Sequence, residues 1–179
     1  YSTSDAKEKW NNRSVNLNFR HQFDSTGREL TADLDYSGYI SSNDQLFTNA
    51  SYNPDGTKRG QTDLLGDLPV DINIYSAKLD YTHPLKKGIK LEAGAKTSYV
   101  NTDNAANYFN LIGGEWQIDY NKTNRFQYTE NINAAYLNFS KQYKKLGVQA
   151  GLRFENTNYK GHQLGNAQKG DSAFDNNYS

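Results

Sequence analysis

Histidine is the side chain whose chemistry would be most informative here, because imidazole serves both in acid–base catalysis and as a metal ligand. His21, His83 and His162 lie far apart along the chain, and none has a second ligand at the spacing of a metal site. Ser, His and Asp are all present, yet no Gly-x-Ser-x-Gly nucleophile elbow occurs. We therefore expect no enzymatic activity, no catalytic residues, no metal site and no cofactor.

Two other motifs could bind phosphate or calcium. Gly113-Gly114 lacks the strand–turn–helix context and the downstream Lys of a phosphate-binding loop, which favours a loop hinge. Asp55-Gly56 could supply oxygen ligands, and so could the cluster of Asp171, Asp175, Asn176 and Asn177, but neither belongs to a twelve-residue calcium loop. We interpret these acidic positions as solvated turns.

Composition excludes several classes of protein. The chain has 179 residues with 20 basic and 20 acidic side chains, and this neutral balance argues against nucleic acid as a partner. It has no Cys, which removes disulfide frameworks and cysteine-based zinc sites. A mean hydropathy of −0.94 is low for a chain that must bury a core. The aromatic content of 13% is nevertheless too high for a disordered chain.

The elements that must position any site are β-strands, because apolar and polar residues alternate with a period of two. The alternation predicts three hairpins, at about 14–40, 72–100 and 126–160, and thus about six antiparallel strands. No run places apolar residues at the helical spacing, and no stretch approaches the roughly 20 apolar residues of a membrane-spanning helix. The fold class is therefore all-β, as an antiparallel up-and-down meander.

The connections between these strands are of two kinds. Short turns close each hairpin, whereas long polar segments at about 41–68 and 101–125 join one hairpin to the next and are expected to be loops. Outer-membrane barrels have this asymmetry, with apolar residues outward and polar residues inward. A soluble β-sandwich would show the same alternation, so both architectures remain open from the pattern alone. Aromatic residues fall towards the strand ends, where a membrane girdle is expected: Tyr36, Tyr39, Tyr75, Tyr81, Tyr99, Phe126, Tyr128 and Tyr143.

Two stretches resemble a known family. The run Leu79-Asp80-Tyr81-Thr82-His83-Pro84-Leu85 with the strand that follows it, and the run from Phe126 to Tyr136 with its return strand 148–157, are similar to the barrel repeats of Bacteroidetes outer-membrane β-barrel proteins related to TonB-dependent receptors. The resemblance covers about residues 14–160. It implies a plugged barrel of about 22 strands that imports a scarce ligand, such as a siderophore or a glycan, across the bacterial outer membrane.

The same resemblance implies a set of partners. They are outer-membrane lipid, a small ligand, and, in the full-length receptor, an N-terminal plug and an energy-coupling protein. The chain 1–179 shows no plug domain, no energy-coupling box and no terminal strand ending in an aromatic residue, so we expect a single fragment of a larger transmembrane barrel. Its two open edges can then self-associate. The alternative function is a secreted all-β binding module, directed at carbohydrate.

Ligand contacts are expected in the two long outer segments, because loops on a rigid scaffold carry most binding functions. Aromatic side chains there offer flat faces for stacking. The candidate ligand-binding residues are Tyr52, Tyr108, Phe109, Trp116 and Tyr120.

Overall fold

The computed structural model describes residues 1–178 and contains one antiparallel β-sheet. A 3-10 turn at Lys86–Gly88 interrupts the strands, and among the described residues no helix has the length and hydrophobicity of a membrane span. The strands are β1 (Ser2–Gln22), β2 (Glu29–Tyr52), β3 (Lys58–Asp67), β4 (Val70–Leu85), β5 (Ile89–Ile112), β6 (Glu115–Ile118), β7 (Asn124–Gln142), β8 (Gly147–Leu164) and β9 (Ser172–Tyr178).

The strands follow one another as an up-and-down meander. β3 and β4 lie end to end and share one strand position, between β2 and β5. Both pair with β2 and with β5, and the register is continuous across the break between β3 and β4. The break between β3 and β4 falls at Pro69, which has no N–H to donate. The sheet pairing continues across this break, because Leu68 donates to the Asn43 carbonyl at 3.0 Å and Ala105 donates to the Pro69 carbonyl at 3.0 Å. Residues from Lys58 to Leu85 thus form one long strand with Pro69 near its middle.

At the same end of the sheet as β3, the short strands β6 and β9 add further pairing to β5 and β8. β6 pairs with the last residues of β5, and β7 pairs with the rest, with a turn at 119–123 between them. β9 folds back on the last part of β8. At the opposite end of the sheet the connections are tight, and positive φ angles at Gly27 (90°), Lys87 (64°) and Gly88 (70°) let the chain reverse there. The sheet therefore has one end with short turns and one end with tall hairpins.

The all-β meander predicted from the sequence is confirmed, and its six expected strands correspond to β1, β2, β4, β5, β7 and β8. The segments 41–68 and 101–125, expected to be loops, are instead mostly strand. Residues 2–13 and the tail beyond 161, which carry no clear pattern, are also largely strand. Their polar residues occur on both faces, so the alternation that reveals a half-buried strand is missing.

The two faces of the sheet differ in chemistry and in exposure. We call the face that carries Leu34 and Leu79 the outer face and the face that carries Asp33 and Asp80 the inner face. Residues that pair directly across two strands share a face and successive residues alternate, so the pairings assign all remaining strand residues to one face or the other. Leu34 is 52% exposed and Leu79 47%, and along β7 the outer-face residues Leu137 and Phe139 are exposed, whereas their inner-face neighbours Tyr136 and Asn138 are half-buried. The inner face is therefore the more enclosed one, as on the concave side of a curved sheet. No hydrophobic residue in 1–178 is buried, so the sheet has no core of its own.

Candidate functional site

The outer face carries a band of exposed apolar side chains near the short turns. Leu137 is 51% exposed and Leu152 is 81% exposed, beside the leucines of β2 and β4. Water-exposed leucines in this number are unfavourable, since burying each is worth about 1.5–3 kcal/mol. The band therefore requires an apolar partner, and a lipid bilayer provides one for every strand at once.

Aromatic rings mark both edges of this band. Tyr36, Tyr75 and Tyr99 stand side by side on three neighbouring strands, with ring centroids 5.0 and 6.5 Å apart, and we call them the tyrosine row. Near the short turns, Phe23 packs edge-on against Tyr81 with centroids 6.1 Å apart. Aromatic belts of this kind lie at membrane interfaces, where one end of the ring is apolar and the other is wet.

Part of the expected girdle lies elsewhere. The pairing registers put Tyr39, Phe126 and Tyr128 on the inner face, away from lipid. Their position near the strand ends suggested a girdle, but successive residues of a strand point to opposite faces, so position along the strand does not decide which face a ring is on.

At the level of the apolar band, the inner face carries a hydrogen-bonded network of charged side chains. Lys78 pairs with Asp80, and the Tyr136 hydroxyl donates to Asp80 Oδ1 at 2.7 Å from two strands away. Glu92 accepts from Lys90 Nζ at 2.7 Å and from Asn138 Nδ2 at 2.9 Å. These strictly alternating charges satisfy one another, as expected on the wet interior wall of a barrel.

Gly94 makes the contact between Tyr136 and Asp80 possible. A Cβ at this position would lie 2.3 Å from the Tyr136 ring and 2.5 Å from Asp80 Oδ1. Tyr136 can therefore lie flat across β5 only because residue 94 has no side chain.

Beyond the tyrosine row, the inner face carries an aromatic cluster on β7, β8 and β9, which we call the aromatic platform. The rings of Tyr159 and Tyr178 stack with centroids 5.8 Å apart, and Phe174 packs edge-on against Tyr159 at 6.0 Å. Phe126 stacks on Phe174 at 6.3 Å, and Tyr128 lies 6.3 Å from Tyr159. Burial raises the pKa of the Tyr128 phenol, and the Tyr159 hydroxyl raises the pKa of Tyr178, so both phenols stay neutral at physiological pH.

Gly161 forms the floor of the aromatic platform. A Cβ there would meet the Phe174 ring at 2.2 Å and the Phe126 ring at 2.9 Å. The absence of a side chain lets the two phenylalanine rings close over the strand.

The basic side chains of the strands in the same region lie on the outer face. The strand residues Lys7, Lys9, Arg13, Arg125 and Lys160 all have outer-face registers. Arg125 donates to both carboxylate oxygens of Asp103, at 2.8 and 2.6 Å, and this bidentate contact lowers the pKa of Asp103. Asp103 is also hydrogen-bonded to Gln127 at 3.0 Å.

A polar turn at 119–123 closes the rim between β6 and β7. Asp119 accepts from Lys122 Nζ at 2.7 Å and from Asn110 Nδ2 at 3.0 Å, and these bonds lower the pKa of Asp119 to about 2. The Thr123 hydroxyl accepts from the Tyr108 N–H at 3.0 Å.

The five predicted ligand-binding aromatic residues lie near the end of the sheet that carries the tall hairpins, but their side chains do not form one surface. Tyr108 has an inner-face register, whereas Phe109 and Trp116 have outer-face registers. Tyr52 ends β2 at a hairpin tip, and Tyr120 lies in the turn at 119–123. Their role in ligand binding remains a prediction.

Sequence reasoning missed the aromatic platform. Phe174 and Tyr178 lie in a tail rich in Asn, Gly and Asp, which resembles a disordered terminus. A usable signal was the spacing of Phe174, Asn176 and Tyr178, which places two aromatic rings on one face of a strand.

The histidines are separate in the structure as well. His21 packs against Phe23 at 4.6 Å, His83 Nδ1 lies 2.8 Å from the Tyr81 hydroxyl, and His162 lies 3.3 Å from Asp171. Within residues 1–178 no group of three or more His, Cys, Asp or Glu side chains is arranged to hold a metal ion.

Comparisons with known proteins agree with this architecture. A family model described as "Outer membrane protein beta-barrel family" matches residues 21–179. The chain is similar in structure to the siderophore receptor PiuA from Acinetobacter baumannii, with 17% identity, a TM-score of 0.62, and 95% of this chain and 28% of that chain covered. It is also similar to the ferric-catecholate import receptor Fiu from E. coli K12 in its open form, with 14% identity, a TM-score of 0.54, and 95% and 32% covered.

These structural likenesses concern the fold. The chain spans less than a third of the length of both receptors. No curated protein shows significant sequence similarity to the chain.

Proposed function

Because the chain belongs to the outer membrane protein beta-barrel family and so lies in the bacterial outer membrane, we propose that it is part of a receptor barrel that takes up a scarce ligand. The observation that carries this proposal is the contrast at one level of the sheet between exposed leucines outside and a hydrogen-bonded charged network inside. A wall of this kind separates lipid from a wet interior.

The rest of the receptor follows from the resemblance. The full-length protein would carry an N-terminal plug inside the barrel and would use an energy-coupling protein of the TonB type. The hydrogen-bonded charged groups around Asp80 and around Glu92 face the space that a plug would fill. In this proposal the barrel moves its ligand without chemical conversion, so it is not an enzyme.

In this proposal the tall hairpins face the cell exterior and the short turns face the periplasm, as is usual for outer-membrane barrels. The chain itself contributes no Cys, so single cysteines placed in it report the orientation once any other cysteine of the full-length receptor is replaced. In the full-length receptor on intact cells, a membrane-impermeant maleimide should label Asp55→Cys at a hairpin tip. Lys86→Cys at a short turn should react only after the outer membrane is opened. The opposite pattern would reverse the orientation.

Uptake is tested in cells with and without the full-length receptor gene. We expect the receptor to accumulate in the outer-membrane fraction. We also expect it to support uptake of either a radio-iron tris-catecholate or a labelled neutral oligosaccharide, and a protonophore should abolish this uptake. Binding of both probes without any receptor-dependent accumulation would contradict the transport role.

The secreted binding module that the sequence left open is not supported. A soluble β-sandwich buries one face of each sheet, whereas in residues 1–178 no hydrophobic side chain is buried and the apolar face stays exposed.

A further inference from the structure

We propose that the aromatic platform binds a neutral, polyhydroxylated ligand of the sugar class. This inference rests on the receptor role proposed above and specifies the ligand of that receptor. The platform lies beyond the membrane level: Phe154, the last apolar side chain of the lipid-facing band on β8, precedes Tyr159 by five residues.

The rings are both fixed and accessible. Phe174 is 46% exposed and Tyr178 is 59% exposed, while Phe126, Tyr128 and Tyr159 are half-buried behind them. The half-buried rings pack against the exposed ones, so little conformational freedom remains to be lost on binding. The C–H bonds on one face of a sugar ring carry partial positive charge and are attracted to the negative face of an aromatic ring.

Polar groups lie beside the rings of the aromatic platform. Asn176 Nδ2 lies 3.3 Å from the Tyr159 hydroxyl, which lies 3.4 Å from the Tyr178 hydroxyl. Glu130 pairs directly with Tyr159 in the ladder and shares its face. Amide, phenol and carboxylate groups together donate to and accept from hydroxyl groups of either polarity.

The charge of this surface disfavours an anionic ligand. Lys78, Lys96 and Arg153 are the basic inner-face residues nearest the aromatic platform. Between them and the tall hairpins, the described inner-face positions include no Lys or Arg on β2, β4, β5, β7, β8 and β9. Glu130 adds a negative charge in this part of the inner face. A ferric tris-catecholate is an anion, so the carboxylate and the negative ring faces would repel it. A sugar without charge meets no such penalty.

The test uses purified full-length receptor and two probes, an array of neutral hexasaccharides and a ferric tris-catecholate. Wild type should bind at least one neutral hexasaccharide. Tyr159→Ala and Phe174→Ala should each weaken that binding about tenfold or more, the range seen for stacking on aromatic side chains. Leu152→Ala, on the outer face of the same strand as Tyr159, is the matched control and should bind within about twofold of wild type.

Two further variants separate stacking from structural damage. Tyr159→Phe keeps the ring and should retain most of the affinity. Gly161→Ala keeps every ring but displaces Phe174, so it should weaken hexasaccharide binding. Heat-modifiable electrophoretic mobility verifies that each variant folds. If Tyr159→Ala does not assemble, Tyr178→Ala carries the same test, because its ring is 59% exposed.

The proposal is overturned if no neutral hexasaccharide binds wild type, or if Tyr159→Ala and Phe174→Ala bind it as wild type does. Uptake of ferric tris-catecholate that these two variants leave unchanged would reject the sugar ligand and keep the receptor role. Platform-dependent hexasaccharide binding by a protein that imports nothing would reject the receptor role alone.

Discussion

Beyond the tyrosine row, the outer and inner faces of one sheet have opposite chemistry. The outer face carries the basic side chains, including Arg125 in its bidentate contact with Asp103. The inner face carries the aromatic platform and apolar residues such as Ile74 and Val100, without basic side chains on the strands that flank it. Below the tyrosine row the relation reverses, since leucines lie outside and the charged network lies inside.

This reversal shows what each face is built to contact. Below the row, the outer face meets hydrocarbon and the inner face meets a wet interior. Above the row, the outer face carries basic side chains and the inner face carries the rings of the aromatic platform. The same backbone thus presents four environments, which are the outer and the inner face above and below the tyrosine row. The face on which a residue lies and its position relative to the row together determine which environment it meets.

The largest expected effect tests the lower outer face. Leu34→Arg should destabilise the full-length barrel by about 2–4 kcal/mol if residue 34 lies near the bilayer midplane, because it places a charge in hydrocarbon. Ser76→Arg is the control, since it enters the inner face beside Asp35, which Ser76 contacts at 3.0 Å. Unfolding in denaturant measures both. Equal destabilisation by the two substitutions would refute the face assignment.

The second prediction tests the lower inner face. Gly94→Ala should destabilise by about 1–3 kcal/mol, because its methyl group overlaps the Tyr136 ring and Asp80. A double-mutant cycle isolates this overlap: in a Tyr136→Ala background, Gly94→Ala should cost much less. An unchanged cost in that background would show that the ring does not cross β5.

The third prediction concerns the boundary itself. Tyr75→Ala should destabilise by about 1 kcal/mol, since it removes the central ring between Tyr36 and Tyr99. Tyr75→Phe keeps both ring contacts and should cost clearly less, in the same unfolding assay. If Phe and Ala cost the same, the hydroxyl group matters and the row of stacked rings does not.

The smallest effect lies at the rim. The pKa of Asp119 is about 2, below the ordinary value, so its bonds to Lys122 and Asn110 stabilise the turn at any pH above about 4. That contribution should be lost as the pH falls from about 4 through 2. Hydrogen exchange of amides 119–123, corrected for intrinsic rates, measures the opening. Asp119→Asn should open more at neutral pH and show a weaker pH dependence; identical profiles would contradict the assigned bonds.

The sequence predicted the parts of the fold where the two faces meet unlike solvents. In β4, Tyr75, Ala77 and Leu79 alternate with polar residues because lipid lies on one side only, and the hairpins were found there. In residues 41–52 and 101–112 both faces are polar or mixed, so no period-two pattern marks the strand. Hydrogen bonding to neighbouring strands, which a single sequence does not display, extends them.

The sequence indicated which end of the sheet carries the candidate site, but it did not indicate which residues form it. Adjacent positions such as Tyr108 and Phe109 point to opposite faces once they belong to a strand, so aromatic residues close in sequence do not form one surface. The platform instead joins residues more than 40 positions apart, from Phe126 to Phe174. Its assembly depends on the register of β9 against β8, which a turn-rich tail conceals.

The register that continues from β4 into β3 also constrains how such a wall can change during evolution. Inserting one residue between Ile40 and Asn43 would exchange the faces of every residue above it, turning the inner surface outward along the whole upper strand. Single substitutions, by contrast, alter one face and leave the other intact. Length changes are therefore tolerated at the hairpin tips or at the irregular pairing of Ser51 and Tyr52, while ligand preference can drift residue by residue on a fixed frame.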